Sequence, residues 1–383
     1  MLTPVILKEH RHYHLDEIEA SVREIFASLQ INELLRDKQT ILLKPNLLGA
    51  HHPDKAVTTH PIIVEAVIRV LQSLGKQIIV GDSPGGTVKA SAVWQATGMA
   101  EVCAQYGVPL YEFGISGIVS HPIAHQASQT DFHGETALYF DQKVYECEAI
   151  INLAKMKTHS MMLYTGAVKN LLGTVPGLYK SELHRFFPKP TDFGKILTEI
   201  YRQFTNQTVL HIIDGIMGMD GEGPSSGTPK NFGVLIASTK GSVADSVASS
   251  LMGFKLEELP YLVSALEVDG FTNQVFERAT PQHQIKFANV NLRPVKFRHQ
   301  VLEKMPVFLQ GLFAKLFVYY PAFKQECQLC QICITSCPVK ALSMKEQKIY
   351  LDPKKCIKCM CCHEMCPSGM VYLKKGLLAK IIF

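Results

Sequence analysis

The stretch Cys327-Gln-Leu-Cys330-Gln-Ile-Cys333-Ile-Thr-Ser-Cys337-Pro338 recurs with the same spacing as Cys356-Ile-Lys-Cys359-Met-Cys-Cys362-His-Glu-Met-Cys366-Pro367. Each copy reads C-x2-C-x2-C-x3-C-P. The first three thiolates of a copy can wrap one face of an iron–sulfur cubane, while the fourth, followed by proline, ligates the other cluster. The spacing therefore predicts two [4Fe–4S] clusters with crossed ligands. One cluster takes Cys327, Cys330, Cys333 and Cys366, and the other takes Cys356, Cys359, Cys362 and Cys337.

The completeness of the two runs decides between metals. A single C-x2-C pair would fit zinc ribbons and redox dithiols as well as iron–sulfur clusters. Two complete runs, each with a third cysteine and a proline, favour iron–sulfur clusters over zinc or disulfides. Residues 324–375 resemble two-cluster bacterial ferredoxins, with no ligand missing. The resemblance implies a small α+β domain, with a hairpin over residues 341–351 and residues 371–373 as its returning partner strand.

Bulk composition describes a soluble globular chain. Its 383 residues, 47% hydrophobic and 19% charged, leave room for two or three domains. No apolar run approaches the roughly 18–20 residues that span a bilayer, and the N-terminus does not resemble a signal peptide. Three cysteines lie outside the ligand set, Cys103, Cys147 and Cys361, without a disulfide pattern. Lone thiols fit a reducing compartment, which predicts a cytoplasmic protein.

Charge is distributed unevenly along the chain. Residues 1–292 carry 24 basic against 29 acidic side chains, whereas residues 293–383 carry 15 against 5. The C-terminal lysines surround the cysteine runs. They form either a solvated face or a docking surface for an acidic electron carrier, a ferredoxin or flavodoxin, which charge would steer. Nucleic acid is a poor partner, because no nucleic-acid-binding motif accompanies the basic charge.

Alternating strands and helices fill residues 1–292. Strands are predicted at residues 40–44, 77–81, 149–153 and 209–214, and helices at 15–35, 62–74 and 90–106. Apolar strand runs that alternate with helices are typical of an α/β fold. We therefore predict a mostly parallel, doubly wound sheet domain, followed by the small ferredoxin-like domain.

The connection between the two domains is basic and then apolar. We predict a connecting helix within residues 293–323 and an apolar tail at residues 376–383. The apolar segment Val307–Tyr320 is too short to span a membrane. It fits either a helix that packs the ferredoxin-like domain onto the first domain or a peripheral membrane contact.

Five sequence blocks carry a family resemblance. They are Lys44-Pro-Asn46-Leu-Leu, Thr58-Thr-His60-Pro, Gly81-Asp-Ser-Pro-Gly-Gly86, Asn152-Leu-Ala-Lys155-Met-Lys157-Thr-His159 with Gly166-Ala-Val-Lys169-Asn170-Leu-Leu-Gly173, and Asp214-Gly with Gly221-Glu-Gly-Pro. In number and order these blocks resemble the family catalogued as domain of unknown function 362, often joined to a two-cluster ferredoxin. The resemblance covers about residues 1–260. It implies a fold and a ferredoxin connection but no reaction.

Polar residues at strand ends form the candidate substrate site, because open α/β sheets bind ligands beyond the carboxyl ends of their strands. Lysines, an imidazole and amides gathered there suit a small anionic or carbonyl-bearing substrate, with His159 or a lysine as proton donor. His60, before a proline, also fits a structural helix start, and His184 is predicted in a mobile substrate loop. The catalytic candidates are His159, Lys157 and Asp82, and the substrate-binding candidates are Lys44, Asn46, His60, Lys155, Lys169, Asn170 and Asp214.

The loop from Asp82 to Gly86 could present backbone N–H groups to an anion. A plain turn is the alternative. The loop lacks the Gly-Lys-Ser/Thr of a P-loop. It also lacks the spacing of a dinucleotide fingerprint, so NAD binding is disfavoured. A metal site built from His60, Asp82, His159 and Asp214 is a further alternative that the spacing does not require.

These patterns together predict an iron–sulfur oxidoreductase. Clusters ligated only by cysteine transfer electrons rather than carry out bond chemistry, so the first domain would hold the substrate. Two alternatives remain. One is a non-enzymatic electron carrier of ferredoxin type, and the other is an accessory protein for maturation of another metalloenzyme.

Overall fold

The computed structural model describes residues 3–123, 137–271, 287, 289–296 and 320–374. Within these ranges the strands are β1 (Ile6–Glu9), β2 (Thr40–Pro45), β3 (Gln77–Asp82), β4 (Leu110–Glu112), β5 (Ile118–Pro122), β6 (Ala137–Asp141), β7 (Ala149–His159), β8 (Leu163–Thr165), β9 (Thr208–Asp220), β10 (Thr228–Ser238), β11 (Tyr320–Phe323), β12 (Leu342–Lys345), β13 (Lys348–Leu351) and β14 (Val371–Lys374). The α-helices are α1 (Leu15–Ser28), α2 (Ile31–Leu34), α3 (Pro61–Ser73), α4 (Ala90–Ala96), α5 (Met99–Gln105), α6 (Gln142–Glu146), α7 (Ala167–Asn170), α8 (Tyr179–Phe186), α9 (Pro190–Phe204), α10 (Gly241–Met252), α11 (Pro260–Val268), α12 (Ile332–Thr335) and α13 (Cys361–Glu364).

A single twisted sheet forms the centre of the first domain. Its strand order is β1-β10-β9-β7-β2-β3-β4, with β8 added to β7. The strands from β9 to β4 pair in parallel, whereas β10 and β1 extend the sheet antiparallel at one side. The prediction of an α/β fold with a mostly parallel sheet is therefore confirmed.

Helices cover both faces of this sheet, which makes the fold doubly wound. Side chains of β2 alternate between two cores: Leu42 packs in one, and Ile41 and Leu43 pack in the other. Helices α1 and α3 belong to the second core, and α9, α10 and α11 belong to the first. Because both faces are buried, the central strands are nearly continuous apolar runs rather than alternating ones.

Two predicted helices are each broken by a left-handed residue. Gln30, with φ 55°, separates α1 from α2, so the helix predicted over residues 15–35 ends early. Gly98, with φ 75°, divides the helix predicted over residues 90–106 into α4 and α5. A positive φ cannot continue a right-handed helix, and glycine adopts it readily.

Strands β7 and β9 extend beyond the carboxyl ends of their neighbours. β7 continues to His159 and pairs with β8, and β9 continues to Asp220, whereas β2 ends at Pro45. The sequence predicted that Lys155, Lys157 and His159 follow the end of a strand. They lie instead inside the buried strand β7.

The C-terminal unit is built from two small hairpin-like sheets and two short helices. The predicted hairpin forms from β12 and β13. The prediction that residues 371–373 pair with this hairpin was wrong, because β14 pairs antiparallel with β11. That partner lies before the first cysteine run, in the segment predicted as a helix.

Parts of the predicted connection lie outside the described residues. These parts are residues 297–319, which include most of the predicted apolar helix, and the apolar tail at residues 376–383. The last four residues of the predicted connecting helix, Tyr320–Phe323, form β11 and not a helix. Within the described ranges, no helix is both long and apolar enough to cross a membrane.

Candidate functional site

Lys44 and Asp82 form a buried ion pair at the carboxyl edge of the sheet, with Nζ 2.9 Å from Oδ1. The backbone N–H of Ser83 also donates to Oδ1, at 2.9 Å, and that of Leu47 donates to Oδ2, at 2.7 Å. Burial lowers the pKa of Lys44, and the charge of Asp82 opposes this shift. A Cβ on Gly173 would collide with both charged groups, so only glycine fits there. Asp82 is fully engaged in holding two loops.

A second buried pair joins Lys155 to Asp214, with Nζ 2.8 Å from Oδ2. The hydroxyl of Tyr13 donates to Oδ1 of Asp214 at 2.8 Å, and the backbone N–H of His60 donates to Oδ2 at 3.1 Å. The His60 ring stacks on Tyr13 with centroids 3.6 Å apart, and its Nδ1 accepts from the backbone N–H of Ile62. Burial lowers the pKa of His60 to about 4. His60 is therefore a neutral helix cap, as the structural alternative predicted.

Asn46 and Asn170 connect the strand ends through their amides. Lys157 Nζ donates to Asn46 Oδ1 at 2.9 Å and to the carbonyl oxygen of Val57 at 2.6 Å. Asn46 Nδ2 donates to Asn170 Oδ1 at 3.0 Å, and Asn170 Nδ2 donates to Asn152 Oδ1 at 2.7 Å. Burial, together with the charges of nearby lysines, holds the pKa of Lys157 well below its usual value. The amides thus join residues that are far apart in the sequence.

His159 lies at the contact between the first domain and the C-terminal unit. Its Nδ1 accepts from the backbone N–H groups of Met161 and Met162, both at 3.1 Å. This arrangement places the ring proton on Nε2, which lies 3.3 Å from Oε1 of Glu364. Glu364 belongs to α13, between two cysteines of the second run.

The two cysteine runs share one backbone shape. In the first run Leu329 and Gln331 adopt φ 52° and 64°, and in the second Lys358 and Met360 adopt φ 59° and 65° at the equivalent positions. Residues other than glycine rarely adopt a positive φ, and this backbone conformation persists only where the surrounding structure requires it. The same unusual backbone conformation at equivalent positions of both runs fits two runs that each bind a cubane cluster.

The fourth cysteine of each run is likewise held in matching ways. The backbone N–H of Ala341 lies 3.3 Å from Sγ of Cys337, and that of Met370 lies 3.2 Å from Sγ of Cys366. N–H groups directed at sulfur stabilise thiolate ligands of iron–sulfur clusters and tune their potential. The donor set therefore fits iron–sulfur ligation.

The charges that act on individual thiols agree with crossed ligation. Burial, together with neighbouring thiolates, raises the pKa of Cys333 to about 12. Those thiolates belong to Cys330, Cys366 and Cys327, which agrees with Cys366 as the fourth ligand of the first run. Burial also raises the pKa of Cys356, and so do its neighbours Cys359 and Cys337. Crossed ligation remains a prediction, and these neighbours support it.

The C-terminal unit docks on the loop that the sequence predicted to bind an anion. A Cβ on Gly85 would collide with the Met365 side chain, and one on Gly86, with φ 65°, would collide with Ser336. Hydroxyl groups of Thr87 and Thr335 lie 2.8 Å apart beside this contact. The glycines therefore allow the close approach of the C-terminal unit.

A cavity of about 70 Å³ lies at this junction. The C-terminal unit contributes Cys361, Glu364 and Met365 to its wall. The first domain contributes Asn46, Leu48, Asp82, Ser83, Gly85, Gly86, Lys169, Asn170, Leu172, Gly173, Lys180, Ser181 and His184. A cavity needs about 10–15 Å³ of this kind to hold one water, so this one admits a small molecule of a few heavy atoms.

The predicted site residues divide into two layers around this cavity. Asn46, Asp82, Lys169 and Asn170 line it. The others form the ion pairs and hydrogen bonds behind the wall: Lys44, His60, Lys155, Lys157, His159 and Asp214. Residues predicted to share a metal are engaged separately, Asp82 with Lys44 and Asp214 with Lys155.

Two basic residues in the wall were not among the predicted site residues. Lys180 Nζ donates to the backbone oxygen and hydroxyl of Ser83, at 3.0 and 2.7 Å, and to the Val175 carbonyl oxygen at 2.9 Å. Burial lowers the pKa of Lys180 to about 7. His184 lies buried on α8, stacked on Phe193, so the prediction of a mobile loop was wrong. The sequence did offer one signal for them: Lys180 and His184 are four residues apart, so on a helix they lie on the same face.

The cysteine runs, seated on the edge of an α/β sheet, define an iron–sulfur protein with a ferredoxin-type electron-transfer domain. Residues 326–370 match the family described as 4Fe-4S dicluster domain. Residues 41–250 match the family described as Domain of unknown function (DUF362). That match spans more than half of the chain, and the protein belongs to this family. The predicted family resemblance is confirmed.

Known proteins resemble the chain in separate parts. The thylakoid-associated protein of Synechocystis is 29% identical over 266 residues, which cover 69% of this chain and 79% of the relative. A ferredoxin of Alicyclobacillus acidocaldarius is 38% identical over 40 residues, 10% of this chain and 51% of that protein. The solved lactate racemase apoprotein of Thermoanaerobacterium thermosaccharolyticum gives a TM-score of 0.40 at 11% identity, covering 64% of this chain and 57% of that one.

Proposed function

We propose that the protein is an iron–sulfur oxidoreductase that binds two [4Fe–4S] clusters and delivers their electrons to a small substrate in the junction cavity. One observation carries this proposal: Cys361, between the predicted ligands Cys359 and Cys362, lines the same cavity as Lys169 and Asn170. A wall next to predicted cluster ligands would put an electron source beside a bound substrate, which supports the proposal. A simple carrier of electrons would have no use for a cavity lined by basic and amide side chains at this position.

The chemistry is a reduction in which electrons and protons balance. Two clusters, when bound, would supply one electron each, and a reduced ferredoxin or flavodoxin would restore them. A substrate double bond that gains two electrons takes two protons, which come from solvent through the cavity wall. Lys169 and Asn170 would bind and orient the substrate. Of the predicted catalytic residues, Lys157 and His159 would position that wall from behind, and Asp82, which lines the cavity, would hold its loops through the pair with Lys44.

Substrate-dependent reoxidation of the reduced protein tests this proposal. The full chain, loaded with clusters and reduced anaerobically, should be reoxidised saturably by its substrate in a screen of small molecules, followed by visible absorbance. Leu48→Trp enlarges a half-buried wall residue and should abolish this reaction. Reoxidation by cytochrome c, a higher-potential acceptor that needs only surface access, should stay unchanged. If no small molecule gives saturable reoxidation, or if Leu48→Trp leaves it intact, the carrier or accessory alternative gains.

We also propose that an acidic electron carrier docks on the basic face of the C-terminal unit. Lys354 and Lys355 are exposed, and Lys358 lies 5.1 Å from the centre of the Tyr320 ring. Complementary charge raises association rates at low ionic strength and is screened over about 8 Å at physiological salt.

Reversing all three of these lysines to glutamate should slow reduction by ferredoxin or flavodoxin at least about tenfold in low salt. The difference should shrink as salt is added, as stopped-flow kinetics would show. The matched control reverses the exposed residues Lys189, Lys195 and Lys255 of the first domain, and it should change little. Equal rates for both triple variants at every ionic strength would leave the C-terminal lysines as a solvated face.

The cytoplasm is the compartment that we propose. No disulfide joins any of the eleven cysteines, and Cys103 and Cys147, which lie outside the predicted ligand set, are buried. Buried unpaired thiols suit a reducing compartment. The thylakoid association named for the Synechocystis relative belongs to that protein, and it makes fractionation of cells the direct test.

A further inference from the structure

Two basic groups of the junction cavity have no partner among the described residues. The Lys169 ammonium, half-buried on α7, makes no hydrogen bond or ion pair there. Neither ring nitrogen of His184 hydrogen-bonds to a described residue, although the side chain is 5% exposed and its Nδ1 is fully buried. Buried polar atoms are normally paired, because an unmade hydrogen bond costs about 1–3 kcal/mol. Both groups therefore point to a ligand that the cavity is built to hold.

Lys169 and His184 line the same small cavity, so one ligand could contact both. Burial lowers the pKa of His184 to about 3, and the charge of Lys169 acts in the same direction. The imidazole is consequently neutral at physiological pH and offers one N–H donor. Burial also lowers the pKa of Lys169, and the charge of Glu364 in the opposite wall opposes that shift.

We propose that Lys169 and His184 bind a compact oxyanion with a single negative charge, such as a small carboxylate, between α7, α8 and the iron–sulfur domain. The ammonium of Lys169 would pair with one oxygen, and the imidazole N–H of His184 would donate to the anion. The inference deepens the proposed function, because it names the substrate class for the same cavity and rests on that function for the anion to be a substrate.

The charges around the cavity favour a monoanion over a dianion. Asp82 is neutralised by Lys44, and Lys180 already donates to three oxygens of the first domain. Lys169 is thus the one wall cation in the described residues that forms no hydrogen bond or ion pair, so the wall offers a ligand a single uncompensated positive charge. The cavity volume of about 70 Å³ also favours a small ligand.

Binding of simple anions to the oxidised, cluster-loaded full chain tests the inference without turnover. Isothermal titration calorimetry should show that formate and acetate bind, with neutral acetamide and dianionic sulfate at least about tenfold weaker. In the wild-type protein, reduction of the clusters should also speed the relaxation of [13C]formate, because the reduced clusters are paramagnetic and border the site. Sulfate binding more tightly than acetate, or relaxation that ignores cluster reduction, would overturn the inference.

Variants at the two residues give a second readout. Lys169→Met, and His184→Phe, which keeps a ring against Phe193, should each raise the Kd for acetate at least about tenfold. Lys169→Arg keeps the charge and should bind within about threefold of wild type, and the exposed control Lys189→Met should not differ. All variants are compared at equal iron content. Unchanged binding in Lys169→Met and His184→Phe would refute the assignment.

The two proposals fail in different ways. In one outcome, acetate binds as expected while no anion reoxidises the reduced protein. That result would refute the oxidoreductase function and would support the anion site. Saturable reoxidation by neutral molecules alone, with no acetate binding, would support the oxidoreductase function and refute the anion site.

Discussion

Replacing Cys337 with alanine should remove the cluster held by the second cysteine run and leave the cluster of its own run in place. The expected iron content falls from about eight to about four atoms per chain, because a cubane that loses one of four thiolates is exposed and unstable. Cys366→Ala should produce the reciprocal loss. Electron paramagnetic resonance of each reduced variant would show which of two cluster signals is absent.

A matched control exists inside the second run. Cys361 is a buried thiol beside two predicted ligands, and Cys361→Ala should keep both clusters. This control separates ligand loss from general damage to the unit. Crossed ligation would be refuted if Cys337→Ala and Cys366→Ala each destroyed only the cluster of the mutated run. Zinc without acid-labile sulfide in the wild-type protein would refute the cluster prediction altogether.

Replacing Lys44 with methionine should destabilise the first domain by about 3–5 kcal/mol, because Asp82 would remain as an unpaired buried charge. Both side chains are almost fully buried, so solvent cannot compensate the loss. The melting temperature from circular dichroism, taken at 222 nm, would measure the effect.

Two further variants check the cause of that loss. Lys44→Met combined with Asp82→Asn removes the stranded charge and should recover part of the stability. Lys143→Met breaks the surface pair with Glu146 and should cost less than about 1 kcal/mol. A Lys44→Met protein as stable as the Lys143→Met protein would contradict the account of the buried pair.

The sequence predicted those features whose signal is local. Cluster ligation depends on the spacing of cysteines within a dozen residues, and both runs adopt the repeated backbone shape expected of it. Convergence of Asn46, Asp82, Lys157 and Asn170 followed from parallel-strand topology, since loops at one edge of a sheet must meet. These predictions needed no knowledge of how the two domains dock.

Features that depend on tertiary contacts escaped prediction. Lys157 and His159 fall behind the cavity wall because β7 runs on past its neighbours, a length that apolar pattern does not specify. His184 faces the cavity only because α8 packs on α9, and β14 pairs with a strand about fifty residues away. The loop predicted to bind an anion also receives Met365 against Gly85, and local sequence does not specify this contact.

The shared wall of the junction cavity would make the proposed ligand binding depend on iron supply. Cys361, Glu364 and Met365 form one side of the cavity and lie within a single cysteine run. If the second run folds only around its cluster, a chain without iron would lack that side and would leave Lys169 open to solvent. The proposed anion site would then be complete only after cluster insertion, and iron starvation would remove electron transfer and anion binding together.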